Sequence, residues 1–168
     1  MDDGSITLLV ALVILVAFSA FFSASETAFS SLNQIRLKSR AEDGDTSAAR
    51  VLAMSEKYDK LLSTILIGNN IVNIAAASIG TILFTQMLGQ ERGATVSTMV
   101  LTIVVLIFGE VTPKSLAKEM PETVATAVSP MLNLLMVLFT PLTWLFSQWK
   151  RLLGHFVHSC LLYTSDAA

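Results

Sequence analysis

The sequence predicts an all-α integral membrane fold: three transmembrane helices, a cytoplasmic helical hairpin and a juxtamembrane or broken hydrophobic helix. Three observations carry that prediction. Of the 168 residues, 53% are hydrophobic and 14% charged, with mean hydropathy +0.65, whereas a soluble domain carries roughly 25% charge. The apolar residues collect into four uncharged runs, Gly4–Ser25, Leu61–Gln90, Gly93–Gly109 and Thr123–Trp149, and a spanning helix needs about 20 such residues. The basic residues are distributed unevenly between those runs. A net charge of −2 gives no basis for a nucleic-acid partner, and the single Cys160 excludes an internal disulfide framework or a cysteine metal site.

The first run predicts a span at about 5–31. Its leader, Met1-Asp2-Asp3-Gly4, is acidic where a secretory signal is basic, so the run reads as a membrane helix. Residues 33–60 read as a helical hairpin. Gly44 supplies a left-handed stop, and Asp45, Thr46 and Ser47 are candidate caps for the helix that follows. Val51, Met54, Tyr58 and Leu61 recur at spacings of three and four, an amphipathic lead into the second span. That span covers about 61–88 and includes a small-residue patch, Ala75 to Ala77, Ser78 and Gly80, suited to close packing or a dimer seam. The third covers about 94–113, reaching spanning length once the turn containing Glu110 is counted.

Arg36, Lys38, Arg40, Arg50, Lys57 and Lys60 lie between the first two spans, against Arg92 alone between the second and third. The positive-inside rule then places the N-terminus outside and segment 33–60 in the cytoplasm, with Lys114 and Lys118 also inside. A fourth crossing would carry Lys150 and Arg151 outside, and the fourth run is interrupted by Pro130 and Pro141. We therefore expect a juxtamembrane region over 122–155 and a cytoplasmic C-terminal side, with four plain spans as the alternative. Together these segments make one transmembrane ion-transport domain, 1–155. Residues 156–168 read as a truncation end or an appended tail, and His155, His158 and Cys160 as non-functional.

Each of the three spans carries an oxygen-rich break. In the first, Ser19, Ser23, Glu26 and Ser30 stripe one helix face. Ser19 and Ser30 read as ordinary backbone-bonded hydroxyls. Ser23 is the better ligand candidate, with Ser25 and Glu26 secondary; Glu26 is also placed to be an interfacial acid or the partner of a nearby Lys or Arg. In the second, Asn69, Asn70 and Asn73 follow Gly68, where glycine permits a local unwinding that bares carbonyl oxygens. In the third, Pro113 has no N–H and robs the Gly109 carbonyl of its helical donor, beside the Glu110 carboxylate. An acid at bilayer depth costs roughly 2.5–3.5 kcal/mol and usually faces a cavity or a partner; a helix kink with a protonated acid is the simpler alternative. Ser23, Asn70 and Glu110 fall at similar depth, so one buried site is expected. Hydroxyl, amide, carbonyl and carboxylate oxygens favour Mg²⁺, Ca²⁺, Na⁺ or Mn²⁺ over zinc or copper. No Ser/His pair, paired aspartates or His-Glu motif occurs in the spans, so the chain is not expected to be an enzyme.

The strings Ser23-Ala24-Ser25-Glu26-Thr27-Ala28, Gly68-Asn69-Asn70 and Gly109-Glu110-Val111-Thr112-Pro113-Lys114 resemble the transmembrane domain of the CNNM/CorC magnesium transporters, over roughly residues 5–155. The resemblance implies a homodimer in a bacterial-type plasma membrane and Mg²⁺ efflux coupled to Na⁺ entry. It also implies that Ser23, Asn70 and Glu110 are side-chain ligands, with Gly109 and the Gly68–Asn69 backbone nearby. Related proteins continue into cytoplasmic CBS domains that bind adenine nucleotide, and such domains are expected in the full-length protein. The competing expectation is a non-transporting anchor or sensor that holds a static structural ion.

Overall fold

The computed structural model describes residues 3–145 and Gln148. The expectations for 149–168, including His155, His158 and Cys160, lie outside them. Within the described residues the chain is helical: α1 (Asp3–Ser30), α2 (Gln34–Glu42), α3 (Thr46–Ser55), α4 (Tyr58–Leu88), α5 (Gln90–Val104), a π-helical segment (Val105–Val111), α6 (Thr112–Glu119) and α7 (Pro121–Leu138). Helix α5, the π segment and α6 form one continuous rod.

Local chemistry sets the boundaries. The Asn33 side chain accepts the Arg36 N–H and opens α2; Gly44, at φ +93°, turns the chain after it. Asp45 caps α3 by accepting the N–H groups of Ser47 and Ala48. Gly89, at φ +82°, joins α4 to α5 in a single residue. That turn is tight because α5 crosses α4 at Gly93, where a Cβ would stand 2.5 Å from the Thr85 Cα.

Two apolar cores result. The larger joins Phe22, Ala28 and Phe29 of α1 to Leu37, Val51 and Met54 of the hairpin, Leu61 and Ile65 of α4, and Ala125, Leu132 and Met136 of α7. Of the expected amphipathic face, Val51, Met54 and Leu61 are buried and Tyr58 is exposed. The far halves of the long helices share a smaller cluster, Leu12, Ala76 and Leu101, with Leu15 and Ile79 packed against it. Elsewhere Ile6, Val10, Val13, Ile74, Ile103 and Phe108 stand exposed, as expected of side chains whose solvent is lipid.

By length and composition four helices can cross a membrane: Gly4–Ser30, Tyr58–Leu88, Gln90–Glu119 and Pro121–Leu138. The fourth is held differently from the others. At its start Glu122 pairs with Arg36 (3.5 Å) and Arg40 (3.1 Å). Just past its end, Lys60 donates to Thr140 Oγ1 at 3.0 Å. Helix α7 is therefore tied at its start to the hairpin helix α2 and, just past its end, to the first turn of α4. Its buried face, Ala125, Ser129, Leu132 and Met136, recurs at helical spacing, while Leu134, Val137 and Leu138 are exposed.

Candidate functional site

Helix α1 presents the Ser19–Ser23–Glu26 stripe inward. Ser19 (1% exposed) and Ser23 (2%) are buried among α4, the π segment and α6. The Ser19 hydroxyl donates to Asn69 Oδ1 of α4 at 3.3 Å. Ser23 Oγ, one turn nearer the hairpin, is buried and has no hydrogen-bond partner. An orphaned buried hydroxyl costs roughly 1–3 kcal/mol, so Ser23 Oγ keeps its bonding capacity for a ligand. Ser25 differs: its hydroxyl returns to the Phe21 carbonyl at 2.7 Å, a structural bond. Glu26 Oε2 accepts from Lys114 Nζ at 3.1 Å, which realises the ion-pair alternative.

On α4 the three amides diverge. Asn69 meets Ser19, while Asn70, about 100° further round the helix, is exposed and donates to its own Leu66 carbonyl at 2.8 Å. Asn73 Oδ1 is buried without a partner. The expected unwinding at Gly68 does not occur. Helix α4 runs unbroken through it, because the Phe22 ring of α1 occupies the space a Cβ would need. Gly68 serves the close approach of two helices rather than bared carbonyls.

The third break is resolved as a π-helical segment, a form found frequently at functional sites. The Thr112 N–H reaches the Ile107 carbonyl, five residues back. In that register the donor that Pro113 lacks would have served the Phe108 carbonyl as well as, in α-helical spacing, that of Gly109. Gly109 also lets α1 approach. It is buried against α1, where a Cβ would lie 2.9 Å from Ser19 Oγ. Glu110, the next residue, is half-buried and makes no hydrogen bond or ion pair among the described residues.

The structure thus brings Ser19, Asn69 and Gly109 to one point from three helical segments, with Ser23 one turn below on α1 and Glu110 adjoining in sequence. It does not bring Asn70 to that point. Ser19 was the residue that sequence reasoning set aside. Its signal was present: it lies one turn from Ser23, and only its meeting with an amide and a glycine distinguishes it from a hydroxyl that bonds its own helix. Among the described residues no three His, Cys, Asp or Glu side chains cluster. The donor set is therefore neutral oxygens with one unpaired carboxylate, suited to a hard cation rather than to zinc or copper.

Residues 10–159 match the family described as CNNM, Cyclin M transmembrane N-terminal domain. The chain is 46% identical over 135 residues to the UPF0053 inner membrane protein YfjD of Escherichia coli, covering 80% of this chain and 31% of that protein. It is 40% identical over 151 residues to a UPF0053 protein of Haemophilus influenzae, covering 90% and 36%. With the Polyamine export protein of Salmonella typhimurium it shares 30% over 145 residues, covering 79% and 32%. The chain spans about a third of the length of these relatives.

Proposed function

This chain belongs to the CNNM transmembrane family, and we propose that it is the membrane domain of a transporter that moves Mg²⁺ out of the cell, coupled to Na⁺ entry. One observation carries the reading. Hydroxyl and amide oxygens of α1 and α4 meet at Ser19 and Asn69, against Gly109 of the π segment, next to an acid that pairs with no cation among the described residues. Ser23 Oγ and Glu110 supply the free ligands; Ser19 and Asn69 hold the two helices in register around them. The ion arrives largely stripped of water. A single carboxylate suits an ion that must also leave. The carrier performs no covalent chemistry.

The basic residues support an orientation with the hairpin, α6 and α7 on the cytoplasmic side and Gly89 outside. Asn70 stands on the exposed face of α4. In a homodimer that face is available to a second copy, through which Asn70 would join the pathway. The relatives' greater length accommodates regulatory domains beyond α7.

A second reading is export of an organic polycation, favoured by the relative named a polyamine export protein. A single carboxylate among neutral oxygens argues for the compact ion instead, because a polyamine needs several spaced acceptors. The test is efflux from sealed vesicles loaded with Mg²⁺ or spermidine, with and without a Na⁺ gradient, comparing wild type with Glu110→Ala. Mg²⁺ efflux that Glu110→Ala abolishes supports the proposal. Spermidine efflux alone transfers the function to the second reading. Mg²⁺-dependent thermal stability with no efflux of either identifies a static structural ion.

A further inference from the structure

The halves of the long helices that lie away from the hairpin are joined unevenly. Helices α4 and α5 close on each other at two points: Gly93 lies against Thr85, and Leu101 fills the space a Cβ at Gly80 would need. Helix α1 is fastened nearer the hairpin, by Phe22 over Gly68 and by Ser19 against Gly109. Toward its N-terminus α1 turns Val13, Val16, Ala17 and Ala20 to the other two helices, and these short side chains leave space before α4 and α5. The result is a cavity of about 640 Å³ between the three helices. Leu12, Leu83 and Leu101 form its buried floor, while Val13 (62% exposed) and Phe108 (60%) stand on its open rim. Every residue that lines it is apolar.

Such a volume is that of a ligand pocket rather than a surface dip, and it stays neither empty nor wet. A void forfeits dispersion contacts along its walls, and water needs polar partners that this lining lacks. The length of the groove names its occupant. From Leu9 to Ala20 it follows α1 for about 16 Å, close to one leaflet of a hydrocarbon core about 30 Å thick. The orientation given above puts that stretch in the outer leaflet, with the open rim toward lipid. A second copy is offered a different face: on α4 the lining residues Leu83, Phe84 and Met87 lie about a quarter turn round from Asn70. We propose that the groove is a binding site for one acyl chain of an outer-leaflet phospholipid, seated between α1 and the α4–α5 pair. The chain completes an apolar core that the protein leaves open. The proposal rests on the orientation and is independent of which ion is carried.

The experiment uses the full-length protein, purified in detergent and washed until loosely held lipid is gone, with retained phospholipid counted by native mass spectrometry. Wild type should keep about one phospholipid per subunit more than Ala17→Leu with Ala20→Leu, which fills the groove from α1. Ile14→Leu, on the same helix but outside the groove, should retain as much as wild type. Phosphatidylethanolamine added back to stripped protein should raise the melting temperature of wild type and not of the filled variant, because only the former has a site to occupy. Should the filled variant fail to fold, Val16→Thr with Val104→Thr makes the lining polar at constant shape and should lower retention severalfold. A wild type that retains no lipid, or retention unchanged in the folded variants, overturns the proposal. A filled variant that keeps its lipid but loses its dimer, read by light scattering, assigns the groove to a second copy and overturns it equally. Vesicles that move no Mg²⁺ would defeat the transport reading and leave the lipid count as it stands.

Discussion

Lys114 Nζ stands 3.1 Å from Glu26 Oε2 of α1, although Glu110 lies four residues back along the lysine's own rod. Acid and base at i, i+4 on a regular helix are natural partners. Here α1 packs against α6 and offers the lysine a different acid. Glu26 takes the lysine, and Glu110 is left as an unpaired acid. The bridge also pins α1 to α6 beside the buried Ser23.

Glu26→Gln should release Lys114 toward Glu110 and weaken Mg²⁺ binding about tenfold, by the logic that a nearby cation competes for the carboxylate. Adding Lys114→Gln should restore it. Calorimetric titration of both variants checks this; a double variant no better than the single one removes the competition argument.

Gly109→Ala would place a methyl group 2.9 Å from Ser19 Oγ and 3.3 Å from its Cβ. Overpacking of this kind costs about 1–3 kcal/mol, and Ser19 would be pushed off Asn69. We expect a lower melting temperature and loss of Mg²⁺ protection, both partly recovered in Gly109→Ala with Ser19→Gly. A cycle in which the two changes simply add would show that the residues do not share a contact.

Glu110→Gln should leave the folded state as stable as wild type or slightly more so without Mg²⁺, since it removes an acid that costs roughly 2.5–3.5 kcal/mol at depth. Mg²⁺ should then no longer raise the melting temperature. A variant that melts well below wild type in the metal-free state would instead make Glu110 a structural residue.

The hairpin has its own acid dependence. The N–H of Ala48 and the Arg40 guanidinium hold the Asp45 carboxyl below the ordinary aspartate range. A depressed folded-state pKa contributes stability that is present above the unfolded value and lost as pH falls through the folded one. The α2–α3 turn should therefore stay protected from amide exchange at pH 5 and loosen below the ordinary aspartate value near 3.8. Asp45→Asn, which keeps an acceptor but loses the charge, should remove most of that pH dependence. Exchange mass spectrometry over 34–56 reads the difference.

The hairpin was legible in detail because its determinants are local: a glycine at positive φ, an aspartate cap and an apolar stripe act within a few residues of themselves. The polar breaks were legible as breaks for a similar reason, since a carboxylate or three amides inside an apolar run need no structure to be noticed. Their pairing was not legible. Asn69 and Asn70 are neighbours of one residue type, and only the approach of α1 over Gly68 decides which faces inward. Glu26 had a nearby Lys or Arg as one of its expected partners, and the packing of α1 against α6 decided that it is Lys114.

Hydrophobic length and charge asymmetry are properties of the chain alone, because the cost of placing a charge or a bare peptide group in lipid does not depend on its neighbours. They determined a membrane bundle with a basic hairpin on one side. Which oxygens share a point in space depends on how three helices rotate about their axes and on one π turn that shifts the phase of everything after it. Those angles are set by packing at Gly68, Gly93 and Gly109, and only the assembled tertiary structure fixes them.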